Sequence, residues 1–242
     1  MQLFRESDIQ SLALVQYRQF IKSNKVVDPK NSKEAAMVKK VGEEIAKAVT
    51  DFYQQKGLSG MLDGYKWEYN LVDSKDINAW CMPGGKIVVY TGLLPITQNE
   101  AALAVVMGHE VAHALAKHGN ERMSQATLQQ LGGVALSVAI VNQTQEAQRL
   151  LLNAYGIGTT VGAILPFSRK HELEADKLGL IYAAIAGYDP REAIPLWQRM
   201  ENASKGKKPP EFLSTHPSES NRIDQLNKLM PEALVYYKSK NQ

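Results

Sequence analysis

One cysteine, Cys81, is all the thiol this chain has. An internal disulfide and a cysteine-built metal cluster are therefore excluded. The compartment stays open, because a protein of an oxidising compartment can also lack disulfides. Long hydrophobic runs are equally scarce. The longest, Leu131 to Val141, is interrupted by Gly132, Gly133 and Ser137, and it falls well short of the ~20 apolar residues a membrane-crossing helix needs. Charge of one sign is missing too: 28 Lys and Arg against 25 Asp and Glu leave a net +3. With no basic block and no aromatic-interleaved basic stripe, nucleic acid is not an expected partner. The N-terminus, MQLFRESDIQ, is polar and carries no secretory leader pattern. The expectation is a soluble chain whose membrane link, if it has one, is a lipid anchor or signal lying outside it. What remains is ordinary for a globular protein: 242 residues, 44% hydrophobic and 22% charged. That composition excludes disorder and collagen-like repeats, and the length suits one domain over residues 1–242 that buries roughly 70–75% of its unfolded surface.

The patterning is mostly helical. Ile9, Leu12, Leu14, Tyr17 and Phe20 suggest a first helix, and Val38, Val41, Ile45, Ala48 and Phe52 a second that starts near Ser32 and stops at Gly57. Two runs read as strands: Trp67 to Leu71, which alternates, and Lys86 to Thr91, which is β-branched and follows the turn signal Met82-Pro83-Gly84-Gly85. From Thr97 on, helices dominate. Thr97 and Glu100 have capping-box spacing and predict a helix over 98–118. Residues 122–155 read as further helix and 156–162 as a loose connection. Ser168 is placed to cap a helix ending before Gly187, Asp189-Pro190 to open another, and a last helix follows Pro217 after a 206–210 loop. The fold class expected is α+β, mainly α, with a small sheet.

His109-Glu110-Val111-Ala112-His113 lies inside the 98–118 helix. Residues four apart share a helix face, so both imidazoles can ligate one metal ion. Glu110 stands about 100° round from His109, beside the metal rather than on it, where a carboxylate can act on water. Zinc needs a third protein ligand. A third histidine six residues past His113 is absent, since Gly119 stands there, and His118, about 140° round the helix, is expected to point elsewhere. Glu172-Leu173-Glu174-Ala175-Asp176 supplies the alternative. Glu172 and Asp176 are one turn apart, on a face that continues through Ala175, Gly179 and Ala183 with no bulky side chain, so this helix can approach the first closely. Glu174 points about 200° away from Glu172, between Lys170 and Lys177 on a solvated face. His171 is expected to be peripheral. Asp176 suits a carboxylate that hydrogen-bonds a ligand histidine. His216, in Ser214-Thr215-His216-Pro217, is on spacing alone a loop histidine with Arg222 six residues later. Residues Lys86 to Thr91, with Ile87, Val88, Val89 and Tyr90, are expected to be an edge strand whose backbone pairs with an extended substrate.

Taken together, His109–His113, Ser168-Arg169 with Glu172-x-x-Ala175-Asp176, and His216-Pro217 with Arg222 resemble the zinc metallopeptidase family of HtpX, the CAAX prenyl protease and the mitochondrial Oma-type protease. Asn78-Ala79-Trp80, Pro83-Gly84-Gly85 and Thr91-Gly92-Leu93 are similar to its soluble bacterial envelope branch, which includes BepA-like lipoproteins. The resemblance covers about residues 65–230. It implies a zincin-like (gluzincin) domain holding one zinc ion on His109, His113 and Glu172, with Asp176 behind a ligand histidine. It implies Glu110 as general base and His216 as either a transition-state donor or a removable fourth ligand. The implied activity is endopeptidase cleavage of unfolded or misassembled proteins in a bacterial envelope, probed against one rival: a catalytically latent zinc-binding chaperone or scaffold. The oligomeric state is not legible.

Overall fold

The structure, a computed structural model, describes residues 2–130, 142, 144–157, 167–205, 210–217 and 221–237. The apolar run 131–141, most of the 156–162 connection and most of the 206–210 loop fall outside them.

A four-stranded sheet lies between two groups of helices. Its strands are β1 (Val26–Val27), β2 (Glu68–Val72), β3 (Ala79–Met82) and β4 (Lys86–Tyr90), in the order β1-β2-β4-β3. β2 and β4 run parallel with Asn70 opposite Val88, while β3 returns antiparallel with Trp80 opposite the same Val88. The β-branched run is thus paired on both sides, which corrects the expectation that Ile87, Val88, Val89 and Tyr90 form a free edge. The cause is local. Gly84 and Gly85, at φ 84° and 79°, fold the chain tightly at Pro83, so the small and aromatic residues before the turn become the partner strand. β3, not β4, ends the sheet on that side. Side chains alternate as a period of two requires, and both faces are covered. Val72, Trp80, Met82, Val88 and Tyr90 share a core with Ile9, Leu12 and Tyr17 of the first helix, and Leu71, Cys81, Ile87 and Val89 share the other with Val41, Leu103 and Met107.

Helices α1 (Glu6–Ser23) and α2 (Lys33–Gln55) precede the sheet, α2 capped by the Ser32 hydroxyl accepting from the Ala35 amide. After a single turn, α3 (Leu94–Thr97), comes α4 (Glu100–Leu115), in which every residue from Ala102 to Leu115 is buried. A helix apolar all round belongs at the centre. Its cap is Asn99, whose side chain accepts from the Ala102 amide, and not Thr97, whose hydroxyl instead donates to the Leu94 carbonyl and closes α3. α4 also stops earlier than its spacing suggests. Lys117 adopts φ 59°, the left-handed conformation that ends helices, and α5 (His118–Gln130) leaves in a new direction.

Beyond these come α6 (Gln145–Ala154) and α7 (Arg169–Ile185), capped by Thr144 and Ser168. A turn at Pro190–Glu192 capped by Asp189 leads into α8 (Ala193–Ser204), followed by α9 (Glu211–Thr215) and α10 (Arg222–Tyr236). Among the described residues no helix is long and apolar enough to cross a membrane.

α4 and α7 cross at Gly108 and Gly179. A Cβ on Gly179 would stand 2.7 Å from the His109 amide nitrogen, and one on Gly108 would stand 2.8 Å from the Gly179 carbonyl. Backbone meets backbone, as the bare face of α7 led us to expect.

Candidate metal centre

That crossing delivers the candidate ligands. His109 and His113 project from α4, Glu172 from the first turn of α7, and His216 from the residue after α9; all four are buried. One donor atom from each lies within 4.8 Å of the others. His113 Nε2 is 3.0 Å from His109 Nε2 and 3.3 Å from Glu172 Oε1, and His216 Nδ1 is 3.2 Å from His109 Nε2 and 2.9 Å from Glu172 Oε1. Four ligands at about 2.0–2.1 Å from a tetrahedral zinc ion stand about 3.3 Å apart. The observed separations, 2.9 to 3.3 Å, lie at or just below that edge. Three imidazole nitrogens and a carboxylate converge on one point at this range, and a divalent cation of the zinc type fits the donor set. His113 is kept neutral by burial, which pulls it well below the usual histidine range, and burial likewise takes His216 down to about 4.

Glu110 is buried beside the group without joining it; its Oε1 is 3.4 Å from His216 Nε2. Burial, and next the Glu172 carboxylate, raise it well above the usual carboxylate range. Glu174, the rival ligand, lies outside the group with its side chain 49% exposed.

Behind the ligands are two supports. Asp176 Oδ1 is 2.9 Å from His109 Nδ1, and Arg222 reaches from α10 to donate to Asp176 Oδ1 at 2.7 Å while its other Nη lies 3.0 Å from Glu172 Oε2. The Arg222 guanidinium lies 3.5 Å from the centre of the Trp197 ring. Burial opposes the charge on Asp176, but Arg222 and then His109 hold it below the usual range. On the other side, His118 does not point elsewhere. The turn at Lys117 brings its Nδ1 to 3.0 Å from His113 Nδ1. His171 is not peripheral either; it is buried, stacked on His118 with ring centres 4.3 Å apart, and 3.0 Å from Glu121. Helical angles carried past Leu115 misplace His118, and no Gly or Pro at 115–118 signals the break.

Phe167, unremarked in the sequence, forms a wall. Its ring centre is 3.9 Å from that of His113 and 5.0 Å from that of His216, with the Arg122 guanidinium 3.7 Å away. Its amide donates to the Thr215 carbonyl, which ties the start of α7 to the His216 segment.

A family description, Peptidase family M48, matches residues 32–230. The chain belongs to peptidase family M48. Among relatives of this M48 chain is the mitochondrial metalloendopeptidase OMA1 of Saccharomyces cerevisiae, 36% identical over 74% of this chain and 51% of the relative. The human metalloendopeptidase OMA1 is 37% identical over 69% of this chain and 33% of its own. The β-barrel assembly-enhancing protease of Escherichia coli is 30% identical over 65% and 33% respectively. The M48 chain thus spans about half the length of the first of these relatives and less of the others.

Proposed function

We propose that residues 1–242 act as a zinc-dependent endopeptidase domain that hydrolyses peptide bonds in extended, unfolded or misassembled protein segments. The observation that carries this reading is Glu110: a buried carboxylate next to a four-donor group and outside it is of no use to a structural metal site. His109, His113 and Glu172 would hold the ion. When bound, zinc supplies polarisation of the scissile carbonyl and acidification of water. Glu110 accepts the proton of the attacking water as the C–O bond forms and returns it to the amine nitrogen as the C–N bond afterwards breaks, so no net proton is consumed.

His216 occupies the fourth corner at rest, with Nδ1 toward the metal position and Nε2 toward Glu110. Water and substrate take that corner when His216 swings away, and from the same segment its ring can donate to the developing oxyanion. The envelope setting expected from sequence is supported by the Escherichia coli relative's name, while the OMA1 relatives are mitochondrial; fractionation of the source cells tests it. The rival reading, a latent zinc-binding chaperone or scaffold, would use the same four donors as a closed site, and one experiment separates the two. Glu110→Gln should keep one zinc per chain and lose at least about a hundredfold in cleavage of an unstructured protein, whereas His216→Ala should bind zinc less tightly and cleave about 10²–10³-fold more slowly where oxyanion donation dominates, or faster where release of the fourth donor does. Cleavage undiminished in Glu110→Gln would overturn Glu110 as the base; cleavage absent in wild type and His216→Ala alike would favour the scaffold.

A further inference from the structure

His113 presents Nε2 to the metal position and Nδ1 to His118 Nδ1, 3.0 Å away. Two like nitrogens at that distance are bonded only if one carries a proton and the other a lone pair. A metal on His113 Nε2 requires the neutral ring to carry its proton on Nδ1. His118 Nδ1 must then accept, so the proton of His118 sits on Nε2, and that atom faces Glu174 Oε2 at 3.4 Å. The assignment leaves no conflict along the chain of contacts, and it runs in one direction from the ion to the surface carboxylate. His118 has little freedom to break it. Its ring is stacked at 19° on His171, which is itself fixed by Glu121, and it is 2% exposed.

Resting on the metal-centre reading above, we infer that His118 is a positioning residue: a neutral imidazole that accepts from His113 Nδ1, passes the polarity to Glu174, and so fixes the tautomer and ring plane of one metal ligand. The residue that spacing offers as a rival ligand, Glu174, is then the outer end of this relay. Histidine ligands commonly have their second nitrogen bonded to a carboxylate or carbonyl, and loss of such a partner typically weakens metal binding 10–100-fold. An imidazole in that place does the same work only in one tautomer, which makes the inference testable.

Zinc affinity of the full chain, by competition with a chromophoric chelator, should fall about 10–100-fold in His118→Phe. That variant keeps the ring and its stacking and removes the acceptor. His118→Asn, whose Oδ1 overlays the lost Nδ1, should recover most of the loss. Nitrogen-15 spectra of the zinc-loaded wild type, which need no variant to fold, should show His113 protonated at Nδ1 and His118 at Nε2. A proton on His118 Nδ1 would overturn the relay, as would equal losses in His118→Phe and His118→Asn or wild-type affinity in His118→Phe. If the wild type bound no zinc, the metal-centre reading itself would fail.

Discussion

His109 is backed by charge and His113 by a neutral ring, although the two leave the same helix one turn apart. Behind His109 stand Asp176 and Arg222, with Arg222 also against Glu172 and above Trp197. Behind His113 stand His118 and, at the surface, Glu174. The charged support lies where α4, α7 and α10 meet, among side chains that are all about 5% exposed or less apart from Glu172 at 8%. The neutral support lies at the α4–α5 turn and ends in solvent. Three buried charges hold their geometry strongly but are costly when one partner goes, because each ion has given up its hydration. A buried neutral ring costs far less to desolvate and fixes less.

Breaking the charged side should therefore have the largest effect. Arg222→Met keeps the stem over Trp197 but leaves Glu172 and Asp176 as buried carboxylates facing each other, and we expect a loss of about 3–5 kcal/mol in urea unfolding of the chelator-treated protein. A loss near the ~0–1 kcal/mol of a surface pair would place this support on a par with the neutral one. Next comes the crossing on which both supports depend. Gly179→Ala would drive a Cβ into the His109 backbone, which cannot rotate away, so α4 and α7 must separate. A cost of about 1–3 kcal/mol, with weaker zinc binding, is expected, and unchanged melting together with unchanged affinity would contradict the close approach.

The smallest effect sharpens the contrast through acid. Burial lowers His118 and His216 to about 4 from 6.5 in the folded chain. Between those values the unfolded chain binds protons that the folded one does not, so stability falls as pH drops from 6.5 toward 4. Asp176 runs the same way in a lower window: held below its ordinary 3.8, it contributes fully above that value and loses its contribution only in stronger acid. Melting of the chelator-treated protein should therefore decline across pH 6.5 to 4, less steeply in His118→Asn, with a further decline below 3.8. Glu110, raised by burial, works against this decline, so the comparison between the two proteins decides: a decline as steep in His118→Asn as in wild type would mean that the His118 ring is not held neutral by the fold.

Much of the His109 side was legible in the sequence because it obeys helical periodicity within unbroken helices. His109 and His113, then Glu172, Asp176 and Gly179, are each set by a turn of α4 or α7, and the bare face of α7 foretold the crossing. The His113 side was not. His118 acts through a left-handed Lys117, a conformation that lysine adopts without leaving any compositional mark, and angles extrapolated past Leu115 are meaningless beyond it. The sheet shows the same division. Alternation in Lys86–Tyr90 was readable, but the edge was not, since a strand's neighbours depend on distant pairing and Ala79–Met82 has no polar alternation of its own. His216 was a loop histidine on spacing alone, because its place among the ligands comes from α9 and from the Phe167 amide, both tertiary facts.

The donors come from positions 109, 113, 172 and 216, with His109 and His216 separated by 107 positions along the chain. An ion held by all four would tie helix α4, the start of α7 and the segment after α9 into one knot, a cross-link that a chain with a single thiol cannot make for itself. Binding of this kind stabilises by mass action, rising with the concentration of free metal. Metal supply would then govern more than catalysis: when the ion leaves, two long loops are released together, and the domain slackens toward the kind of unfolded chain that its own metal centre is proposed to cut.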